Sequence, residues 1–308
     1  MGDNYMPSLV KYRKWLFNWS ARGIFKTAPV ACDPASNVLV LSQTHDPDVT
    51  MFLVAAKSFA RFVAPKAFVV VDDGLNAQNR AVLREHLGEV RFVRSAEVDV
   101  GHCPRGGTWE RLVTIARLCT DHYVVQLDSD TVTINEPGEV IECLRTNRGF
   151  TLGTRLGRAC ISLREVGELA ESLGGDHIQV LAECALNTLP GSVERRYIRG
   201  CSGFAGFACG AMNFEQLERF SQQMEERLGG GKWRQWGSEQ VTSNYMIANT
   251  DNPLVLPFEH YPYWDLKQDL AEVRLVHFIG GHRFDGQAYV RLGKQIIQTL
   301  NHPRLNQP

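Results

Sequence analysis

Two aspartates one residue apart carry the clearest chemistry in this sequence. Asp128 and Asp130 follow the apolar run at residues 123–127, within Tyr-Val-Val-Gln-Leu-Asp-Ser-Asp-Thr. Such a run predicts a buried strand that delivers both carboxylates into one tight turn. Two like charges held together there are costly unless a cation neutralises them. Their oxygens suit Mg²⁺ or Mn²⁺, although the pair alone is equally compatible with a solvated turn.

A histidine and an arginine near the C-terminus can complete that site. Residues 275–283 are Leu-Val-His-Phe-Ile-Gly-Gly-His-Arg, so His277 ends an apolar run and Arg283 follows two glycines closely. An imidazole added to two carboxylates favours Mn²⁺-like chemistry, and a guanidinium pairs with a diphosphate through two parallel hydrogen bonds. A histidine in a strand is often only a packed core residue, but the glycines and the arginine favour a ligand here. We therefore predict that Asp128, Asp130 and His277 hold one divalent cation.

The elements that must position these residues alternate between strand and helix. The predicted strands are residues 38–41, 67–71, 90–93 and 123–127, and the predicted helices between them are 46–62, 77–87 and 109–119. Strands that are apolar throughout and joined by helices imply a mostly parallel sheet covered on both faces. Ligands bind at the carboxyl ends of such strands, where the polar clusters 43–45, 72–73 and 128–130 fall. The expected fold class is α/β, with one crevice.

The rest of the chain is less regular. Residues 215–228 and 238–248 predict helices, and residues 204–212 and 273–278 predict strands. Since there is no repeat and no low-complexity linker, we expect a single domain at 37–308, preceded by an N-terminal extension at 1–36 with helical character.

Within that extension, residues 11–22 interleave basic and aromatic side chains. This pattern is typical of a helix resting on an anionic membrane, and equally of a helix that packs on the core and shows its charges to water. We favour the packed helix, because the segment is short and has no lipidation motif.

The composition limits the function classes. The 308 residues are 44% hydrophobic and 22% charged, as in a globular protein, and 33 basic against 34 acidic residues offer no bulk attraction to nucleic acid. No apolar run approaches the roughly 20 residues of a membrane-spanning helix. Residues 1–10 lack a secretory apolar core, and the eight cysteines include no Cys-x-x-Cys pair. We therefore expect reduced thiols and a cytoplasmic location, with membrane contact through residues 11–22 as the alternative.

Several short motifs, taken in order, resemble GT-A fold glycosyltransferases, most closely the glycogenin-like, family-eight retaining type. They are the first-strand turn Leu-Ser-Gln-Thr-His-Asp at 41–46, Arg-Leu at 111–112, Asp-Ser-Asp at 128–130, Phe-Ala-Cys-Gly-Ala-Met at 207–212, Gly-Ser-Glu-Gln at 237–240, and His-Phe-Ile-Gly with Arg at 277–283. The ordered set is specific although no single member is. Three residues depart from the family: Ala208 replaces asparagine, Glu239 replaces aspartate and Arg283 replaces lysine.

The resemblance implies a GT-A fold, a mostly parallel central sheet flanked by helices. It divides the domain into a Rossmann-like, nucleotide-sugar-binding half at 37–135 and a smaller acceptor and metal-completing half at 136–308. It also implies that the enzyme transfers a sugar from a nucleotide-sugar to a glycan, lipid-linked or protein acceptor, with Mn²⁺ or Mg²⁺ as cofactor. The nucleotide that the resemblance implies is UDP.

The same resemblance implies residue roles. Glu239 and Arg111 are the catalytic candidates, with Glu239 as general base if the enzyme inverts rather than retains. The residues implied to bind the donor are Thr44, His45, Asp73, Arg111, Asp128, Ser129, Gly210, Gln240, Gly280 and Arg283.

Three alternatives stay open from the sequence. A haloacid-dehalogenase-like phosphatase would use Asp128 as nucleophile and Asp130 as acid, but that fold normally opens with this strand. A nucleotidyltransferase should carry a glycine-rich loop after the first strand, and residues 42–48 contain no glycine. A non-catalytic sugar-nucleotide-binding protein would keep the fold without the reaction.

Overall fold

The computed structural model describes residues 7–266 and 268–302. Residues 1–6 of the expected extension, and residues 267 and 303–308 of the expected domain, lie outside this range. The helices are α1 (Pro7–Ser20), α2 (Val49–Ala60), α3 (Ala77–Leu87), α4 (Trp109–Leu118), α5 (Gly138–Thr146), α6 (Leu163–Leu173), α7 (Ile178–Leu186), α8 (Phe214–Leu228), α9 (Gly230–Trp233), α10 (Ser238–Ala248) and α11 (Ala288–Asn301). The strands are β1 (Val38–Thr44), β2 (Ala67–Asp72), β3 (Val90–Arg94), β4 (Tyr123–Leu127), β5 (Thr131–Thr133), β6 (Phe150–Leu152), β7 (Cys160–Ser162), β8 (Arg196–Ile198), β9 (Cys201–Phe207), β10 (Leu254–Leu256) and β11 (Leu275–His277).

Seven strands form the central sheet, in the order β10-β6-β9-β4-β1-β2-β3. β1 pairs in parallel with β2 and β4, β2 with β3, and β6 with β10, whereas β9 runs antiparallel to β4 and β6. Two small ladders, β5 with β11 and β7 with β8, lie beside the sheet. The predicted α/β class, with a mostly parallel sheet flanked by helices, is confirmed.

Both faces of the central strands are buried, which explains the uninterrupted apolar runs at 38–41 and 67–71. Along β2, Phe68 and Val70 belong to one core cluster, and Val69 and Val71 belong to the cluster on the other face. Successive side chains of a strand point to opposite faces, so each face requires its own apolar residues. The polar residues that end β1, β2 and β4 therefore meet at one edge of the sheet.

Strand β9 differs most from the sequence prediction of 204–212. It begins at Cys201, opposite Leu152 of β6, and ends at Phe207, opposite Val124 of β4. Phe207 lies opposite the second residue of β4, and the ladder ends there. Its beginning was missed because Cys-Ser-Gly carries no apolar signal, although all seven of its residues are buried.

The described part of the N-terminal extension packs on the domain. The ring of Phe17 in α1 lies 4.0 Å from the ring of Tyr289 in α11, between centroids. Phe17, Ala21 and Ile24 belong to the same core cluster as β1 and β2. Among the described residues, no helix combines the length and the apolar character that crossing a bilayer requires.

A buried ion pair joins α7 to the loop before β9. The carboxylate of Glu183 is fully buried and accepts hydrogen bonds from Arg199 Nε at 3.0 Å and Gln179 Nε2 at 2.9 Å. Burial raises the pKa of Glu183 above its ordinary 4.5, although the guanidinium of Arg199 opposes the rise. Glu183 is therefore tolerated as an anion largely because Arg199 accompanies it.

We predict that Arg199→Met lowers the free energy of unfolding by about 3 kcal/mol near neutral pH, because it leaves a buried carboxylate without its counter-charge. In the variant, the pKa of Glu183 in the folded state rises further. Above pH 4.5 the folded state therefore keeps a proton on Glu183 that the unfolded state has released. The deficit should therefore grow as pH rises from about 5 to about 8. Urea unfolding at both pH values tests this, with the exposed Arg195→Met as control; a deficit independent of pH would contradict the assignment.

Candidate functional site

The ladder between β5 and β11 brings the two halves of the predicted cation site together. His277 pairs with Thr131, and the backbone N–H of Phe278 donates to the carbonyl of Asp130 at 2.8 Å. On the other side, the N–H of Asp128 donates to the carbonyl of Gly203 in β9 at 2.8 Å. The turn between β4 and β5 is thus fixed by backbone bonds on both sides.

Asp128, Asp130 and His277 converge in this turn. One ligand atom from each lies within 4.8 Å of the other two, and His277 Nε2 is 3.1 Å from Asp130 Oδ1. Asp130 and His277 are buried, while Asp128 is partly exposed. Two carboxylates and an imidazole at this separation fit Mn²⁺ or Mg²⁺, which fills the rest of its shell with water or phosphate oxygens.

Two arginines neutralise the carboxylates of the site. Arg283 donates from Nη2 to Asp130 Oδ2 at 2.5 Å and from Nε to the carbonyl of Phe278 at 2.8 Å. Arg111 donates to Asp128, and its Nη2 lies 3.3 Å from each carboxylate oxygen of Glu239. Three carboxylates against two guanidiniums leave one negative charge in excess when the imidazole is neutral. A divalent cation would reverse that sign and make the site attractive to a diphosphate.

Burial and neighbouring charges shift the pKa values of all three residues. Burial raises the pKa of Asp128 to about 6 against the opposing charge of Arg111, and the carboxylate of Asp130 adds to the rise. Burial would also raise the pKa of Asp130, but the charges of His277 and Arg283 outweigh it and lower the value to about 2. For His277, burial favours the neutral ring, yet the carboxylate of Asp130 holds its pKa well above 6.5.

Cys201 and Gly203, at the start of β9, position the imidazole, and sequence reasoning missed both. A Cβ on Gly203 would lie 2.1 Å from His277 Cε1 and 2.7 Å from its Nε2, so only glycine allows the ring this place. Cys201 Sγ lies 3.5 Å from His277 Nδ1. A neutral histidine that binds a cation through Nε2 carries its proton on Nδ1, where the sulfur can accept it.

A cavity of about 240 Å³ opens over the turn. The predicted site residues that line it are Arg111, Asp128, Asp130, Glu239, Gln240, His277, Gly280 and Arg283. The lining residues that were not predicted are Thr108, Cys201, Ser202, Gly203, Trp236, Gly237 and Ile279. The motifs near 111, 128, 237 and 277 are therefore brought to one place.

Glu239 lies in the first turn of α10 and is held by several donors. Besides Arg111, Thr108 Oγ1 donates to its Oε2 at 3.1 Å and Ser202 Oγ at 3.4 Å. Gln240 beside it accepts from the N–H of Ser202 at 3.3 Å. The glutamate therefore faces the cavity with its oxygens already engaged, an arrangement that favours positioning over proton abstraction.

The aromatic residue that lines the cavity is Trp236, whereas Trp109 lies in the core beside it. The ring of Trp109 is buried against Trp233, at 5.9 Å between centroids, and its Nε1 donates to Ser238 at 2.9 Å. Trp236 lines the cavity with 71% of its surface exposed. Trp109 begins α4 and Trp236 lies two residues before α10, and nothing in their local sequence distinguishes the buried ring from the exposed one.

Other predicted donor residues lie outside the cavity wall. Thr44 ends β1, and His45 and Asp73 directly follow the neighbouring strands β1 and β2. His45 Nδ1 contacts Asp48 at 3.0 Å, and Asp73 accepts a hydrogen bond from Ser95 at 3.0 Å. Near them, the buried hydroxyls of Ser42 and Thr44 and the amide oxygen of Gln43 have no partner among the described residues. Unpaired polar atoms at the sheet edge suit a polar ligand.

Ser129 and Gly210 have other surroundings. The carbonyl of Ser129, within the acidic turn, accepts from the hydroxyl of Tyr289 at 3.1 Å. Gly210 follows the far end of β9, where its N–H donates to the carbonyl of Cys119 at 2.7 Å. The structure does not bring Gly210 to the cavity, because β9 is antiparallel to β4 and presents its beginning, not its end, to the site.

No protein family model and no curated protein matches the sequence. Among solved structures, the bifunctional glycosyltransferase WbbM in its apo form matches 85% of the chain at 16% identity and a TM-score of 0.50. The galactosyltransferase LgtC, in complex with donor and acceptor sugar analogues, matches 85% of the chain at 12% identity and a TM-score of 0.51. This chain has the GT-A fold.

The extent of these matches differs between the two proteins. The chain covers 95% of LgtC but only 50% of WbbM, so it spans about half the length of the bifunctional protein. At such low identity the likeness shows the fold alone.

We predict that Gly203→Ala weakens Mn²⁺ binding by at least about tenfold, because the added methyl displaces the imidazole ring. Titration calorimetry with MnCl₂ measures the affinity. Cys201→Ala, which removes only the sulfur contact, should cause a smaller loss.

Gly231→Ala is the control for this pair, since a Cβ there meets nothing within 4 Å. Thermal unfolding of each variant reports whether it folds. Unchanged Mn²⁺ affinity in a folded Gly203→Ala protein would show that His277 does not hold the ion.

Proposed function

We propose that this protein is a metal-dependent glycosyltransferase that moves a sugar from a nucleotide-sugar, first of all a UDP-sugar, to an acceptor with retention. The observation that carries the proposal is the convergence of Asp128, Asp130 and His277 within 4.8 Å at the carboxyl edge of the sheet. Solved structures with this fold include glycosyltransferases. The proposal includes membership of the glycogenin-like, family-eight type.

Asp128, Asp130 and His277 would hold the cation, Mn²⁺ before Mg²⁺ because of the imidazole. When bound, the ion supplies Lewis-acid stabilisation of the diphosphate leaving group. The remaining chemistry belongs to the chain. The bond from the sugar C1 to the phosphate oxygen breaks, a bond from C1 to the acceptor oxygen forms, and the acceptor proton passes to an oxygen of the departing diphosphate.

Arg283 is the chain's own candidate for stabilising the leaving group. It is partly exposed in the cavity. Its Nε and Nη2 bind Phe278 and Asp130, whereas its Nη1 has no partner among the described residues. A guanidinium fixed beforehand stabilises charge that develops on the phosphate without having to reorganise. Arg111 is nearly buried between Asp128 and Glu239, so its role in this proposal is to hold those two carboxylates.

Glu239 and Gln240 face the sugar side of the cavity in this proposal. Because Glu239 is occupied by Arg111, Thr108 and Ser202, it suits contact with sugar hydroxyls better than the general-base role of an inverting enzyme. Trp236, exposed at the rim, offers an apolar face to an acceptor sugar. Glycan, lipid-linked and protein acceptors all remain compatible with this rim.

The nucleoside would lie along the ends of β1 and β2. The unpaired hydroxyls of Ser42 and Thr44 support this position, as do the side chains of His45 and Asp73. Ser129 and Gly280 would contact the diphosphate through their backbone, since Gly280 lines the cavity with a φ of +62°. For Gly210 no contact with the donor is proposed.

The geometry disfavours the phosphatase alternative. A phosphatase of the haloacid-dehalogenase type needs its first aspartate free to attack, whereas Asp128 is bound by Arg111. A non-catalytic nucleotide-sugar-binding protein would share the fold and the cation. An enzyme is distinguished from it by catalysing hydrolysis of the donor.

We also propose a cytoplasmic location, which the eight free cysteines support.

We predict that Mn²⁺ and one nucleotide-sugar together raise the melting temperature more than either alone. A ligand that binds only the folded state adds stability in proportion to RT ln(1 + [L]/Kd). A panel of UDP-, GDP- and ADP-sugars, each with and without Mn²⁺, identifies the donor. The metal-dependent shift should disappear in His277→Ala and Asp130→Asn.

The exposed histidine variant His102→Ala is the matched control and should keep the shift. Slow Mn²⁺-dependent hydrolysis of the same donor, absent in Asp130→Asn, would separate an enzyme from a binding protein. A nucleotide shift of equal size without metal in every variant would refute the proposed site, and hydrolysis of a chromogenic phosphate ester would revive the phosphatase.

A further inference from the structure

Helix α1 has an inner face that fastens it to the domain. Phe17 packs on Tyr289, and Ala21 is buried. Arg13 forms an ion pair with Asp285, and Lys14 forms one with Asp48. The helix is thus held by apolar contacts and by two ion pairs, so its orientation on the domain is fixed.

The outer face of α1 is aromatic and exposed. Tyr12, Trp15 and Trp19 expose 55%, 58% and 54% of their surfaces, and Leu9 exposes 45%. The rings of Tyr12 and Trp15 stack at 6.1 Å, and the guanidinium of Arg22 lies 4.9 Å from the ring of Trp19. The spacing of three and four residues places these side chains in one stripe along the helix. Nothing in the described chain covers that stripe.

The surroundings of this stripe are cationic. Residues 7–32 contain no aspartate or glutamate. Lys11, Arg22 and Lys26 are exposed and form no ion pair with any described residue. Helix α11, which packs against α1, also contains no acidic residue and exposes Arg291 and Lys294. The only carboxylates that contact α1 in ion pairs are the inner-face partners of Arg13 and Lys14, within the described residues.

We propose that the outer face of α1 binds the surface of an anionic lipid bilayer as a peripheral contact. Tryptophan and tyrosine prefer the headgroup region, where one end of the ring is apolar and the other is wet. Exposed lysine and arginine beside them are attracted to anionic headgroups. The helix packs on the core, as we preferred from the sequence, and the proposal adds a lipid contact through its outer face, where two tryptophans are exposed in one stripe.

Charge also decides between a bilayer and a second copy of the chain. A symmetric dimer through this face would set Lys11, Arg22 and Lys26 against the same residues of its partner, without a carboxylate between them. An anionic surface supplies the complementary charge that another copy lacks. The proposal places the protein at an anionic bilayer surface and does not rest on the proposed function.

Sedimentation with vesicles tests this proposal on the full chain. We expect the protein to sediment with vesicles of phosphatidylcholine and phosphatidylglycerol, far less with phosphatidylcholine alone, and less as salt rises. Trp15→Ala/Trp19→Ala and Lys11→Gln/Arg22→Gln should each lower partitioning by at least about tenfold. The charge-matched control Arg195→Gln/Arg234→Gln, at exposed positions elsewhere, should bind like the wild type.

The contrary outcomes are distinct. Equal sedimentation with neutral and anionic vesicles, or wild-type binding by both outer-face variants, would overturn the proposal. So would a lipid-free dimer on gel filtration that Trp15→Ala/Trp19→Ala converts to a monomer. Melting temperatures confirm that the variants fold, and their Mn²⁺ and nucleotide-sugar shifts should equal those of the wild type, so failure here leaves the proposed function standing.

Discussion

Mutual neutralisation of buried charges, where β4, β5 and β11 meet, is the constraint on which the structure depends. Asp130 is covered by protein and is tolerated there because His277 and Arg283, more than 140 residues later, return to it. The same contacts close β11 on β5 and so fasten the C-terminal third of the chain to the sheet. Stability and chemistry are therefore linked, because the residues that would bind a cation also hold the fold together around it.

A second layer of contacts makes the site rigid before any ligand arrives. Arg111 on α4 joins Asp128 after β4 to Glu239 on α10, and Trp109 binds Ser238 in the same two helices. Side chains locked in this way meet a substrate with little reorganisation, which is the main advantage of a folded site over the same groups in water. Gly203 contributes by its lack of a side chain, because it leaves the volume that the imidazole ring fills.

The parallel part of the sheet could be predicted from sequence because burial on both faces leaves an uninterrupted apolar run, and the carboxylates that end β4 were found for the same reason. The beginning of β9 could not, since Cys201 and Gly203 are buried by their neighbours β4 and β6 rather than by their own apolarity. The burial of individual side chains could not be predicted either. Trp109 and Trp236 flank the same crevice, and only tertiary packing decides which one is exposed.

The first helix also changes where this protein can be divided. Arg13 forms an ion pair with Asp285, and Lys14 forms one with Asp48. Phe17 packs on Tyr289 between α1 and α11. A fragment trimmed to begin at residue 37 would uncover the ring of Tyr289 and remove the ion-pair partners of Asp48 and Asp285. The described part of the extension therefore contributes to the core of the domain rather than standing apart from it.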